Sequence, residues 1–126
     1  SIDVRHEDPA VVDKVREIAL KLEQRQWQGC RCEVVLGWNR DTVYWDKKLV
    51  EYVREAAQEL GTAHMDIHSG AGHDAQYISY MLPTTMIFVA SKNGLSHCEE
   101  EYTSPEQCTE GATVLLNAVL KCDAED

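Results

Sequence analysis

Strand-like and helix-like segments alternate along this chain, and that order constrains the fold more than any single residue does. Ile2 to His6 reads as a short strand. Asp8-Pro9 supplies an N-cap with proline at the first helical position. Val11, Val15, Ile18 and Leu22 follow at helical spacing, Trp27 extends that face, and Gly29 supplies the stop. Cys30, Cys32, Val34, Leu36 and Trp38 alternate with Arg31, Glu33 and Val35, the pattern of a half-buried strand. A second helix opens at Asp46, carries Leu49, Val50, Val53, Ala57 and Leu60 on its apolar face, and closes at Gly61. Met65 to His68 is a short strand, and the turn Ser69-Gly70-Ala71-Gly72 feeds a helix from His73 to Met81, ended by Pro83. Thr84 to Val89 is the near-continuous apolar run of a strand buried on both faces. After a loop from Ala90 to Thr103, Ser104-Pro105-Glu106-Gln107 is a capping box. The helix it opens runs to Cys122 with Cys108, Ala112, Leu115, Val119 and Cys122 on one side, and Asp123 to Asp126 fray. This order predicts an α/β fold.

Composition narrows the function classes. The chain has 126 residues, a formal net charge of −10, and 44% apolar residues against 27% charged, as expected of a globular domain. The acidic balance argues against nucleic acid and anionic membranes as partners, because a phosphate surface is repelled. No stretch approaches the roughly 20 apolar residues of a membrane span. The odd set Cys30, Cys32, Cys98, Cys108 and Cys122, without a secretory signal, fits reduced and buried thiols in the cytoplasm. Cys30 and Cys32 are spaced too closely for the usual paired zinc ligands.

The chemistry-bearing residues concentrate between Met65 and Thr103. His68, His73 and His97 accompany two glycine-bearing turns, Ser69 to Gly72 and Asn93-Gly94. Loops after strands form the ligand edge of an open parallel sheet, which brings His73 and His97 to one edge. A histidine pair is not by itself a metal site, since zinc takes three or four ligands. His68-Ser69-Gly70 lacks the glycine two residues before the serine, so it is no nucleophile elbow. His97 and Cys98 are adjacent, whereas a Cys-His dyad needs apposition from separate segments. Glu99-Glu100-Glu101 reads as a solvated acidic run or as a carboxylate source for orienting an imidazole. Arg5, flanked by Asp3 and Glu7, is either half of a surface ion pair or a guanidinium fork for a carboxylate ligand. Physical chemistry alone favours the ion pair.

Four motifs change that balance. Ile-Asp-Val-Arg-His at 2–6, Ser-Gly-Ala-Gly-His-Asp-Ala at 69–75, Met-Ile-Phe-Val-Ala-Ser at 86–91 and Gly-Leu-Ser-His-Cys-Glu-Glu-Glu-Tyr-Thr at 94–103 occur in that order. Together they resemble the hydantoinase/carbamoylase branch of the M20 amidohydrolases. That branch includes N-carbamoyl-L-amino acid hydrolases, β-ureidopropionases and allantoate amidohydrolases. The resemblance implies a zinc-exopeptidase-like catalytic domain with two divalent metals (Zn, Mn or Co) and an inserted α+β lid domain that forms a homodimer. Residues 1–44 then resemble the last strand-helix-strand of the lid, and residues 45–126 the C-terminal part of the catalytic domain.

Residue by residue, the resemblance gives His97 as a metal ligand and His73 as the group that contacts the substrate or its developing oxyanion. Ser69, Gly70, Ala71 and Gly72 line the substrate pocket. Arg5 binds the substrate carboxylate, in the family from the neighbouring subunit. His6 is a structural neighbour of Arg5, and Glu101 matches an acidic position of open role. Cys98-Glu99 stands where Ser-Pro is usual, and Ala90 where Pro is usual.

The family's other metal ligands and its glutamate base have no match here. The expected parent reaction is hydrolysis of a C–N amide bond in an N-carbamoyl or ureido acid. The chain alone is expected to be inactive and to hold no metal stably. Its start at Ser1 reads as a cut inside the lid, so apolar faces and strand edges are expected to be exposed. The alternatives are an M20 aminoacylase or peptidase fragment, or a non-catalytic module for dimerisation or ligand binding.

Overall fold

The computed structural model describes residues 1–125. The backbone forms two compact units, 1–43 with 68–72, and 44–67 with 73–126.

In the first unit, helix α1 spans Pro9–Leu20. Asp8 caps it as anticipated, accepting the Ala10 N–H at 2.9 Å with Pro9 at the first position. The helix stops at Leu20, passes through a 3-10 turn over Lys21–Gln24, and enters a hairpin of β1 (Gln26–Trp27) and β2 (Cys30–Arg31). Two expectations are corrected here. Trp27 lies in β1 rather than on a helix face. Gly29 (φ +82°) serves the two-residue turn with Gln28 (φ +48°), the pairing of left-handed residues that a tight hairpin demands, and it is not a helix stop. The strand anticipated over 30–38 shrinks to Cys30–Arg31. Beyond it the chain is held by side chains: Glu23 accepts the Val34 N–H at 2.8 Å, and Arg16 reaches Asn39 at 3.3 Å. No residue of α1 is buried, and Ile18 on its expected apolar face is 54% exposed.

The second unit carries the core. Helix α2 (Lys47–Glu59) is capped by Asp46, which accepts the Leu49 N–H at 2.9 Å. It ends at Gly61 (φ +70°), with Gly61 N–H bonded to Gln58 O and Thr62 N–H to Ala57 O. This is the two-bond C-terminal motif that favours glycine. Helix α3 (Ala75–Ser79) is short. Helix α4 (Pro105–Asp123) opens with the reciprocal Ser104–Gln107 capping box that its sequence announces.

Helices α2 and α4 pack together, burying Tyr52, Ala56 and Ala57 against Val114 and Ala118. The buried face of α4 is therefore rotated from the expected one, because Leu115 and Val119 are more than half exposed. The expected fraying of the acidic end is also corrected as far as Glu125. Asp123 is helical, and Glu125 accepts the Tyr52 hydroxyl at 2.5 Å and pairs with Lys48 at 3.0 Å. Asp126 lies outside the described residues.

The strands anticipated at 2–6, 65–68 and 84–89 form no ladder among the described residues. A strand exists through its neighbours, and these segments have none. Thr84–Val89 is consequently not buried on both faces, with Phe88 46% and Val89 42% exposed. Its start is fixed by the bond from Asp46 N–H to Thr84 O at 2.9 Å. The expected exposed apolar faces are present, Leu115, Leu116, Val119 and Leu120 forming one on α4. The cysteines are not a buried set, because Cys30, Cys98 and Cys108 are exposed and Cys32 and Cys122 half-buried. No helix among the described residues is long and apolar enough to cross a membrane.

Candidate functional site

Arg5 and the turn Ser69–Gly72 belong to the same unit and meet. The Arg5 guanidinium donates from Nε to both Asp3 oxygens at 3.1 Å and from Nη2 to Asp3 Oδ2 at 2.6 Å. Nη1 donates to the Gly70 carbonyl at 2.8 Å. Gly70 backs onto the arginine stem, since a Cβ there would stand 3.6 Å from Arg5 Cδ. Gly70 takes no left-handed φ, and a Cβ there would make only ordinary contact. Ser69 Oγ accepts the Ala71 N–H at 3.2 Å and tightens the turn from within. The hydrogen bond from Arg5 holds the Asp3 carboxyl below the ordinary carboxylate value, and the Asp3 carboxylate raises Arg5 further. Beside them, His6 Nδ1 accepts the Asp8 N–H at 2.9 Å, a structural contact at the mouth of α1.

His73 and His97 lie in the other unit. The His73 N–H bonds to Gln76 Oε1 at 3.1 Å while Gln76 N–H returns to His73 O at 3.0 Å, so the entry to α3 locks the backbone at the imidazole. The ring meets Phe88 edge-on, with centroids 5.4 Å apart and planes at 65°. Phe88, which the sequence placed in the apolar run 84–89, is thus the ring that His73 rests against.

His97 crowns a closed loop. Lys92 N–H bonds to Tyr102 O at 2.7 Å, and Thr103 Oγ1 donates to Ala90 O at 3.0 Å, so the two ends of the loop are pinned together. Ser91 Oγ donates to Leu95 O at 2.7 Å inside it. His97 itself takes φ +60°, a costly region for a side chain with a Cβ. Glu101 supports it, accepting the His97 N–H at 2.8 Å while Glu101 N–H bonds to Cys98 O at 3.1 Å. The acidic run therefore contributes one carboxylate that acts on the histidine's backbone rather than its ring.

The described residues contain no group of three or more His, Cys, Asp or Glu that could hold a metal ion. His97 is exposed and its donor set does not fit a binuclear centre without residues from elsewhere.

The chain belongs to the peptidase family M20/M25/M40, whose profile matches residues 4–121. It is 43% identical over 125 residues to an N-carbamoyl-L-amino-acid amidohydrolase of Rhizobium meliloti, covering 96% of this chain and 30% of that one. An allantoate amidohydrolase of Bacillus subtilis (strain 168) is 34% identical over 123 residues, again 96% of this chain and 30% of the relative. The crystal structure of an amidase of the hydantoinase/carbamoylase family from Burkholderia multivorans superposes with a TM-score of 0.74 at 39% identity, covering 92% of this chain and 29% of that one. The chain thus spans about 30% of the length of the relatives it matches. An α/β zinc-peptidase-like fold follows from these matches.

Proposed function

We propose that this chain is the C-terminal part of a binuclear-metal amidohydrolase that cleaves the C–N amide bond of N-carbamoyl amino acids. The observation that carries the reading is 43% identity through nearly the whole chain to an enzyme named for that substrate class. Residues 1–44 serve as the end of a lid that joins two subunits, and residues 45–126 as the end of the catalytic domain. Arg5 fixes the substrate carboxylate, acting on the active site of the neighbouring subunit. Ser69, Gly70, Ala71 and Gly72 line the pocket. His73 donates a hydrogen bond to the carbamoyl oxygen as charge develops there. His97 is this chain's contribution to metal ligation. The remaining ligands and the general base come from residues outside this set, so the chain by itself does not turn over substrate.

The test is a chimera in which this chain replaces the matching segment of the Rhizobium meliloti enzyme. Hydrolysis of N-carbamoyl-L-amino acids is expected with added Mn²⁺, Zn²⁺ or Co²⁺. His73→Ala should lower kcat by roughly 100-fold, the effect of removing one oxyanion donor. A folded, dimeric chimera without turnover, or one indifferent to His97→Ala, would sink the reading. Preference for N-acyl amino acids or dipeptides over N-carbamoyl substrates would instead select the aminoacylase or peptidase alternative. Turnover by the 126-residue chain alone, abolished by His97→Ala, would overturn its assignment as an incomplete part.

A further inference from the structure

We propose that Asp3 is a positioning residue for Arg5, holding the guanidinium by its Nε–Nη2 edge so that the terminal Nη1–Nη2 edge faces an incoming carboxylate. The inference rests on the reading of Arg5 as a carboxylate-binding residue. A guanidinium offers two edges that match a carboxylate bidentately, one formed by Nε and Nη2 and one by Nη1 and Nη2. Asp3 occupies the first, with Nε 3.1 Å and Nη2 2.6 Å from its oxygens. Gly70 takes a hydrogen of Nη1 through its carbonyl at 2.8 Å. Nη2 keeps the hydrogen that faces the terminal edge, and Nη1 keeps one of its two.

The sequence spacing explains how this is built. Asp3 and Arg5 are two residues apart, which places both side chains on one side of an extended chain. Gly70 arrives from a turn 65 residues further on. The guanidinium is therefore anchored from within its own segment and from a distant one. A long, rotamer-rich side chain is fixed before the ligand arrives, which removes an ordering cost from binding. The arrangement also carries a selectivity. A carboxylate coplanar with the guanidinium fits the terminal edge, whereas the other edge is closed by a like charge.

The experiment is a titration of the chimera described above, ¹⁵N-labelled at arginine, with N-carbamoylglycine, followed through the Arg5 side-chain N–H resonances. The ligand is expected to shift the Nη signals while the Nε–H signal stays in place. Asp3→Ala should weaken binding roughly 2- to 12-fold, the cost of immobilising one such side chain at the moment of binding. Asp3→Asn, which keeps one acceptor, should fall between the two. A ligand-induced shift of Nε–H, or tighter binding by Asp3→Ala or Asp3→Asn, would show that Asp3 competes with the ligand and would overturn the proposal while leaving Arg5 as the ligand residue. Unchanged binding in Asp3→Ala would also overturn it alone. Binding indifferent to Arg5→Ala, or no binding up to the solubility limit, would remove the Arg5 reading itself and the role of Asp3 with it.

Discussion

Gly111 sits in the second turn of α4 directly over Val89, and replacing it with alanine tests how the loop bearing His97 is held. A Cβ built at Gly111 would run into Val89 Cγ1. Val89 ends the extended segment that leads into that loop, so the contact fixes where the loop starts. Two opposed effects act in Gly111→Ala. Helix propensity favours alanine by about 1 kcal/mol. Overpacking against a stiff β-branched neighbour costs about 1–3 kcal/mol. The collision outweighs the propensity, and the net expectation is a loss of up to about 2 kcal/mol, each 1 kcal/mol lowering Tm by roughly 4–8 °C in a domain of this size. The decisive arm is the same substitution in a Val89→Ala background. There the obstacle is gone, and alanine should stabilise by up to about 1 kcal/mol. Thermal unfolding of the four proteins closes a cycle with an expected coupling of about 1–3 kcal/mol. A rise in Tm for Gly111→Ala in the unaltered background, or a coupling under about 0.5 kcal/mol, would refute the packing argument.

Further outcomes follow from the same contacts. Ser104→Ala removes half of the capping box on α4 and should cost about 1 kcal/mol, read as a drop in the urea midpoint with unchanged slope. The Tyr52 hydroxyl, and then Lys48, hold the Glu125 carboxyl below its ordinary value of 4.5. Its folded value is thus depressed, so its contribution is complete above pH 4.5 and disappears as pH falls through the lowered value. Glu125→Gln should flatten the acid limb of a stability–pH curve below pH 4.5, and an unchanged limb would count against the contact. The exposed apolar face of Leu115, Leu116, Val119 and Leu120 predicts concentration-dependent self-association in sedimentation velocity, reduced by Leu116→Glu with Leu120→Glu. A compact monomer at all concentrations would contradict it.

Helix boundaries were readable in this chain because their determinants are local. Asp8-Pro9, Asp46 and Ser104-Pro105 each present an oxygen to an N–H within three residues, and Gly61 supplies a left-handed stop at the end of α2. Strands are not local. Thr84–Val89 has the composition of a central strand, but pairing needs partners that no other described segment supplies. Helix faces fall between these cases. Spacing put Leu115 and Val119 inward. The structure buries Val114 and Ala118 instead, against Tyr52, Ala56 and Ala57 of α2. The face a helix buries is set by both partners and is not visible in either segment alone.

The site divides along the same line. His97 was singled out through its motif, but its φ of +60° and its bond to Glu101 appear only once the loop closes. Glu101 was legible as charge and illegible as a backbone acceptor. Asp3 shows the opposite case. Its position two residues before Arg5 was in view from the outset, and the ion-pair reading of that pair was correct as geometry. An exposed pair of this kind adds little stability, and Arg5 and Asp3 are 59% and 66% exposed. What such a pair does add is direction, because two acceptors on one edge of a planar cation determine which edge is left. The ion-pair and ligand-fork readings of Arg5 therefore do not exclude each other. The first orients the cation that the second requires.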